Sequence, residues 1–199
     1  MGLWHVYYED WQMECCGTPF SVGDEVSWPL LLLAPDTVLG GGWRDQLTKI
    51  AGPVEHVGGV RMVREETGLP VALGADPDAE EDRRPEPGGG TRAVGLLCVE
   101  RHGANWPEAR GRVRAVQVLT QTWAETAPGS RSYEPVRGER GLRTVDRCPK
   151  RFAETETEPS ADGRGRYSRE SGVVVTLNVP GTDSRLSPPA GRARRRRGS

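Results

Sequence analysis

Apolar side chains along this chain fall mostly into short runs and period-two alternations, which is the pattern of strands. Leu3 to Tyr8 is aromatic and β-branched and predicts a strand with large apolar groups on both faces, so that it is covered on both sides. Trp11 and Met13 continue the same alternation and extend the strand. Cys15-Cys16-Gly17 breaks the pattern, and Thr18-Pro19 and Gly23-Asp24 predict two turns. From Glu25 to Leu31, Val26, Trp28 and Leu30 alternate with Glu25 and Ser27, a half-buried strand that Pro29 marks as an edge or a bulge.

Trp43, Leu47 and Ile50 stand at helical spacing and predict the one short helix, ended by Pro53. Val54 to Val63 reads as a strand interrupted at Gly58-Gly59. Ala93 to Val99 is a continuous apolar run that suits a central strand. Gly111 to Trp123 is the longest strand candidate, and its mixed faces predict a bulge or strong coiling in its middle. Gly172 to Val179 alternates cleanly and reads as an integral strand.

Between these segments lie polar stretches. Residues 75–91 are acidic and rich in proline and glycine, and 127–171 are dominated by polar side chains; both read as disordered insertions. A domain split at the first of them is the alternative organisation. Residues 183–199 end in GRARRRRGS and read as a disordered basic tail. The predicted architecture is a single mainly-β domain over 1–182, a small OB-like or SH3-like barrel with one short helix and long loops.

Composition sharpens this picture at three points. An apolar fraction of 35 % over 199 residues is low and fits a modest core with much polar chain. A net charge of −1 supplies no global field for nucleic acid or acidic lipid. Among 27 basic residues only Lys49 and Lys150 are lysines, and Ile50 is the sole isoleucine, a coding bias that weakens functional readings of the arginine-rich stretches. The opening MGLWHVYYED has neither a basic region nor an apolar core of the secretory kind, so a cytoplasmic protein with reduced thiols is expected.

The string Cys15 to Trp28, CCGTPFSVGDEVSW, preceded by Tyr8, Asp10 and Trp11, resembles the opening of an uncharacterised family of small actinobacterial proteins. The resemblance implies a self-contained domain in a bacterial cytoplasm. It implies no catalytic or ligand residues, because that family has no assigned activity.

Candidate chemistry is sparse. The P-loop, HExxH and GxSxG patterns are missing. A zinc site would have to join Cys15 or Cys16 to Cys98, Cys148 and His102, without any C-x2-C spacing. Adjacent residues in extended chain face opposite ways, so Cys15 and Cys16 are not expected to share an ion, and neither metal nor cofactor is expected. A nucleophilic cysteine would need Cys15 or Cys16 beside His102. His5 and His56 read as packed histidines. The residues that combine a polar handle with a turn are Trp11, Cys16, Asp24, His102 and Trp106. They predict a site where the Cys16–Asp24 turns meet the His102–Trp106 loop. A non-catalytic module binding a protein or small ligand is the leading function. A nucleic-acid-binding barrel using rim aromatics and the arginine tail, and a thiol- or metal-dependent enzyme, are the alternatives.

Overall fold

The structure is a computed structural model and describes residues 2–43, 45–74, 90–157 and 161–180. The chain is mainly β. Strands β1 (Gly2–Glu9), β2 (Glu25–Trp28), β3 (Leu30–Leu33), β4 (Thr48–Val57), β5 (Val60–Arg64) and β6 (Pro70–Leu73) form the first half, with the one α-helix among the described residues, α1 (Asp10–Cys16), after β1, and a 3-10 turn over Pro35–Thr37. Strands β7 (Gly90–Val99), β8 (Ala109–Glu125), β9 (Tyr133–Val145), β10 (Glu154–Thr157) and β11 (Arg166–Val179) form the second.

They join in the order β2-β8-β11-β1-β7-β3-β6-β5-β4, with β9 on β8 and β10 on β11. A further pairing of β4 with β7 returns the path β7-β3-β6-β5-β4 to its start. The single apolar run of Ala93 to Val99 therefore sits at a junction: β7 pairs with β1, β3 and β4. Its buried end, Gly95 to Val99, matches the continuous apolar pattern of the sequence.

One core cluster includes Val6, Tyr8, Met13, Phe20, Trp28 and Leu97 on one side of the sheet. A second gathers Tyr7, Val38, Trp43, Leu96, Cys98, Leu119 and Val174 on the other. Strand β1 is thus covered on both faces where Val6, Tyr7 and Tyr8 lie, as its side chains predict.

Pro29 divides the Glu25 to Leu31 strand. Before it, β2 pairs with β8; after it, β3 pairs with β7 and β6. The irregularity foreseen in the long strand is present: the β8–β11 register slips between Thr176 and Leu177 and again between Glu170 and Gly172. At the second slip Gly172 takes a φ of +133° and lies so close to β1 that a Cβ would stand 2.3 Å from the Tyr8 carbonyl oxygen.

Three expectations fail. Trp43–Ile50 is not a helix: Trp43 lies in a buried loop, its Nε1 donating to the Val38 carbonyl at 2.8 Å, and Thr48 to Ile50 begin β4 with Thr48 and Ile50 inward. The helical spacing arose from two separate burial sites on one polar background. The one α-helix among the described residues is instead Asp10–Cys16, where Trp11 and Met13 were read as strand. Its inward residues are Asp10, Gln12 and Met13, and Asp10 is held by Arg169 of β11. Residues 127–171 are not one long insertion, since they carry β9, β10 and the start of β11. Strand β9 is mostly exposed, so its sequence is charged although its backbone is paired. Most of the 75–91 insertion and all of the 183–199 tail lie outside the described residues, and Gly90 and Thr91 open β7. Among the described residues no helix is long and apolar enough to cross a membrane.

Candidate functional site

Helix α1 is seven residues long, too short to stand alone, and is fixed from both ends. At its C-terminus the Gly17 N–H donates to the Gln12 and Met13 carbonyls, and Lys150 Nζ donates to the carbonyls of Met13 and Gly17 at 2.6 and 2.9 Å. A cation on the last turn satisfies carbonyls that the helix leaves open and complements its dipole.

The decisive tether is Gln12, which is fully buried. Its Nε2 donates to the Val99 carbonyl at 2.9 Å and to Glu9 Oε2 at 3.1 Å, while its Oε1 accepts from the Arg101 N–H at 2.9 Å. One amide side chain thereby clips the helix to the segment leaving β7. The segment then turns at Gly103, with φ +83°, after the Glu100 carboxylate accepts from the His102 N–H at 2.6 Å.

These contacts bring residues far apart in sequence together. His102 Nε2 lies 3.4 Å from Cys16 Sγ. The donor atoms of Cys15, Cys16 and His102 all lie within 4.8 Å of one another, and all three residues are exposed. The Trp11 ring covers the imidazole with centroids 4.8 Å apart, and its Nε1 donates to Glu9 Oε2 at 2.8 Å. The argument that Cys15 and Cys16 must face opposite ways fails because they sit in a helical turn, where successive side chains diverge by only about 100°. Cys98 and Cys148 are buried elsewhere and do not join them. His5 and His56, expected to be packed, are exposed.

Partial loss of hydration at the protein surface, and after it the neighbouring Cys15 thiol, push the exposed Cys16 thiol above its ordinary value, with Arg101 and Lys150 pulling the other way. A thiol held up in this way is a poor resting nucleophile. Burial likewise raises the Tyr8 phenol, and the Arg101 guanidinium offsets part of the effect.

Of the five residues singled out from sequence, Trp11, Cys16 and His102 converge. Asp24 closes the turn before β2, its Oδ2 accepting from the Ser21 N–H at 2.8 Å. Trp106 is half-buried and donates from Nε1 to the Leu30 carbonyl at 3.2 Å. Asp24 also borders a cleft of about 400 Å³ formed by Thr18 to Phe20, Ser27, Trp28 and Arg101. This cleft lies between the turns after α1 and the loop after β7. Tyr8 packs its ring on Phe20 and Trp28, at 6.3 and 5.5 Å.

A model for a family of unknown function, DUF6578, matches residues 2–179. The chain belongs to DUF6578. No curated protein and no solved structure matches it. The match runs from β1 through β11, so the DUF6578 domain takes in every described strand.

The DUF6578 domain has a second, larger cleft of about 600 Å³ that sequence reasoning missed, lined by the paired strands β2 and β8 and by Asn178 and Pro180 at the end of β11. Arg110, Arg112 and Arg114 line it from alternate positions of β8, and Arg112 is paired with Glu25 at 2.9 Å. The signal was present in RGRVR as arginine at every second residue, masked by the general arginine bias.

Proposed function

We propose that this DUF6578 domain is a non-catalytic binding module, and that its ligand site lies where the turns after α1 meet the loop after β7. The observation that carries this reading is the cleft of about 400 Å³ at that junction. It combines aromatic side chains, Phe20 and Trp28, with the Arg101 guanidinium, which makes no ion pair among the described residues. Asp24 and Glu25 line the same cleft, with Thr18 and Ser27 beside them, so the lining suits a small zwitterion whose acidic group meets Arg101 and whose amine meets the two carboxylates. Trp11, Cys16, Asp24, His102 and Trp106 border or shape this junction.

The return of the β7-β3-β6-β5-β4 path to β7 supports reading that half of the sheet as a small barrel, with the site at one end. Four free thiols support a reducing, cytoplasmic setting, and the arginine bias supports a GC-rich bacterial source.

The test is a two-dimensional NMR titration with a panel of small zwitterionic carboxylates, aromatic amino acids among them. Shifts should concentrate at Phe20, Trp28 and Arg101 and vanish in Arg101→Gln. A panel that leaves those signals in place, or shifts indifferent to Arg101→Gln, would refute the reading.

A further inference from the structure

We propose that Cys15, Cys16 and His102 form a three-ligand site for a thiophilic metal ion, Zn²⁺ or Cu⁺, at the end of helix α1. The inference rests on reading this junction as a binding site, and gives it a second ligand of a different chemical class.

Geometry carries it. In a tetrahedral zinc site with Zn–S of about 2.3 Å and Zn–N of about 2.0–2.1 Å, the sulfurs stand about 3.8 Å apart and each sulfur about 3.6 Å from the nitrogen. Here Cys16 Sγ and His102 Nε2 are 3.4 Å apart, and no pair of the three donor atoms exceeds 4.8 Å. Rotamer adjustment in exposed side chains is enough to close the set around one ion.

The donors are also held before any ion arrives. Cys15 and Cys16 share one helical turn, whose end is tied down by Lys150. His102 is presented by a loop that Gln12 clips to the same helix. The Trp11 ring lies over the imidazole and restricts its orientation, as groups around a metal-binding histidine commonly do.

Donor chemistry narrows the ion. Two thiolates and one imidazole are soft and borderline ligands that suit Zn²⁺ and Cu⁺ and not Mg²⁺ or Ca²⁺. Three protein donors satisfy Cu⁺ as a trigonal ion. They leave Zn²⁺ with a fourth position open towards solvent for water or an exogenous ligand.

The experiment uses the full chain, purified with a non-thiol reductant and titrated with Co²⁺ as the probe. The expected result is a thiolate-to-cobalt charge-transfer band that saturates at one equivalent. It should disappear in the Cys15→Ser/Cys16→Ser double variant, and His102→Ala should weaken Co²⁺ binding by more than about tenfold. Zn²⁺ should displace Co²⁺ and bleach the band, since it binds thiolate and imidazole donors more tightly. No band in the wild type, or a band that survives the double variant, overturns the site. All three side chains are exposed, so the thermal transition of each variant should match that of the metal-free wild type and exclude a folding defect. Arg101→Gln separates the two readings, since it should abolish carboxylate binding in the cleft and leave the cobalt band intact.

Discussion

Replacing Gln12 with leucine should both destabilise the domain and loosen the site. Leucine fills much the same volume, so no large cavity is created, but it offers neither donor nor acceptor. Three hydrogen bonds are lost, two of them to the main chain of Val99 and Arg101. A typical net value is about 1 kcal/mol each, with more where a buried partner is stranded. Arg101 is exposed, so water replaces part of the loss at its N–H. The sum is about 2 kcal/mol. At roughly 2–4 °C per kcal/mol for a chain of this size, the melting temperature should fall by about 4–8 °C. The assay is thermal unfolding followed by circular dichroism, paired with NMR signals of Trp11 and His102, whose rings should lose their fixed contact. Gln12→Glu adds a check. Its carboxylate keeps the acceptor for Arg101 but sets a negative charge against Glu9 and the Val99 carbonyl. It should therefore destabilise more at neutral pH than at acid pH, where the protonated carboxyl regains a donor. A melting temperature unchanged within 1 °C or so in Gln12→Leu would show that the helix is held by packing alone, and the account of the tether would be wrong.

Three other perturbations test the frame. Gly172→Ala should cost about 3 kcal/mol or more, because its Cβ would meet the Tyr8 carbonyl oxygen at 2.3 Å and its φ is +133°, and denaturant unfolding measures this. Truncation after Asp162 removes β11, the partner of β1, β8 and β10, and should abolish cooperative unfolding in a calorimeter, whereas truncation after Asp183 leaves every described contact in place and should not move the transition. Burial pushes the Cys148 thiol from 9.0 up to about 12, so the unfolded chain releases that proton first as pH rises. Stability should then be full below about 9 and fall between 9 and about 12, by up to roughly 1.4 kcal/mol per pH unit, with Cys98 adding in the same direction, and urea unfolding across that pH range reads the slope.

What sequence made legible followed burial. Strands β1, β7, β8 and β11 carry apolar runs because they occupy the centre of the sheet, and their side chains state it directly. Strand β9 is paired along one side only of β8 and faces solvent, so YEPVRGERGLRTV carries no hydrophobic period to read. Helix α1 was hidden for another reason: seven residues give barely two turns, and Trp11 with Met13 fits period two as well as any helical spacing. Its conformation is decided by Gln12, Arg169 and Lys150, contacts made with residues at least 87 positions away. Trp43, Leu47 and Ile50 show the converse, a helical spacing produced by unrelated burial. The neighbourhood of Trp11, Cys16 and His102 could be suspected from turns and polar handles. That Cys15 joins them follows only once the local conformation is known to be helical.

Strand β11 also governs the order in which the domain can form. It lies between β1 and β8, and Gly2 pairs with Val179 across almost the whole length of the domain. A chain emerging from the ribosome at about 5–20 residues per second therefore presents β1 many seconds before its neighbour exists. During that interval one edge of β1, with Val6 and Tyr8, has no strand to pair with. Such long-range pairing places the domain among slow-folding topologies and makes the nascent N-terminal half a substrate for chaperones or for mispairing with a second chain.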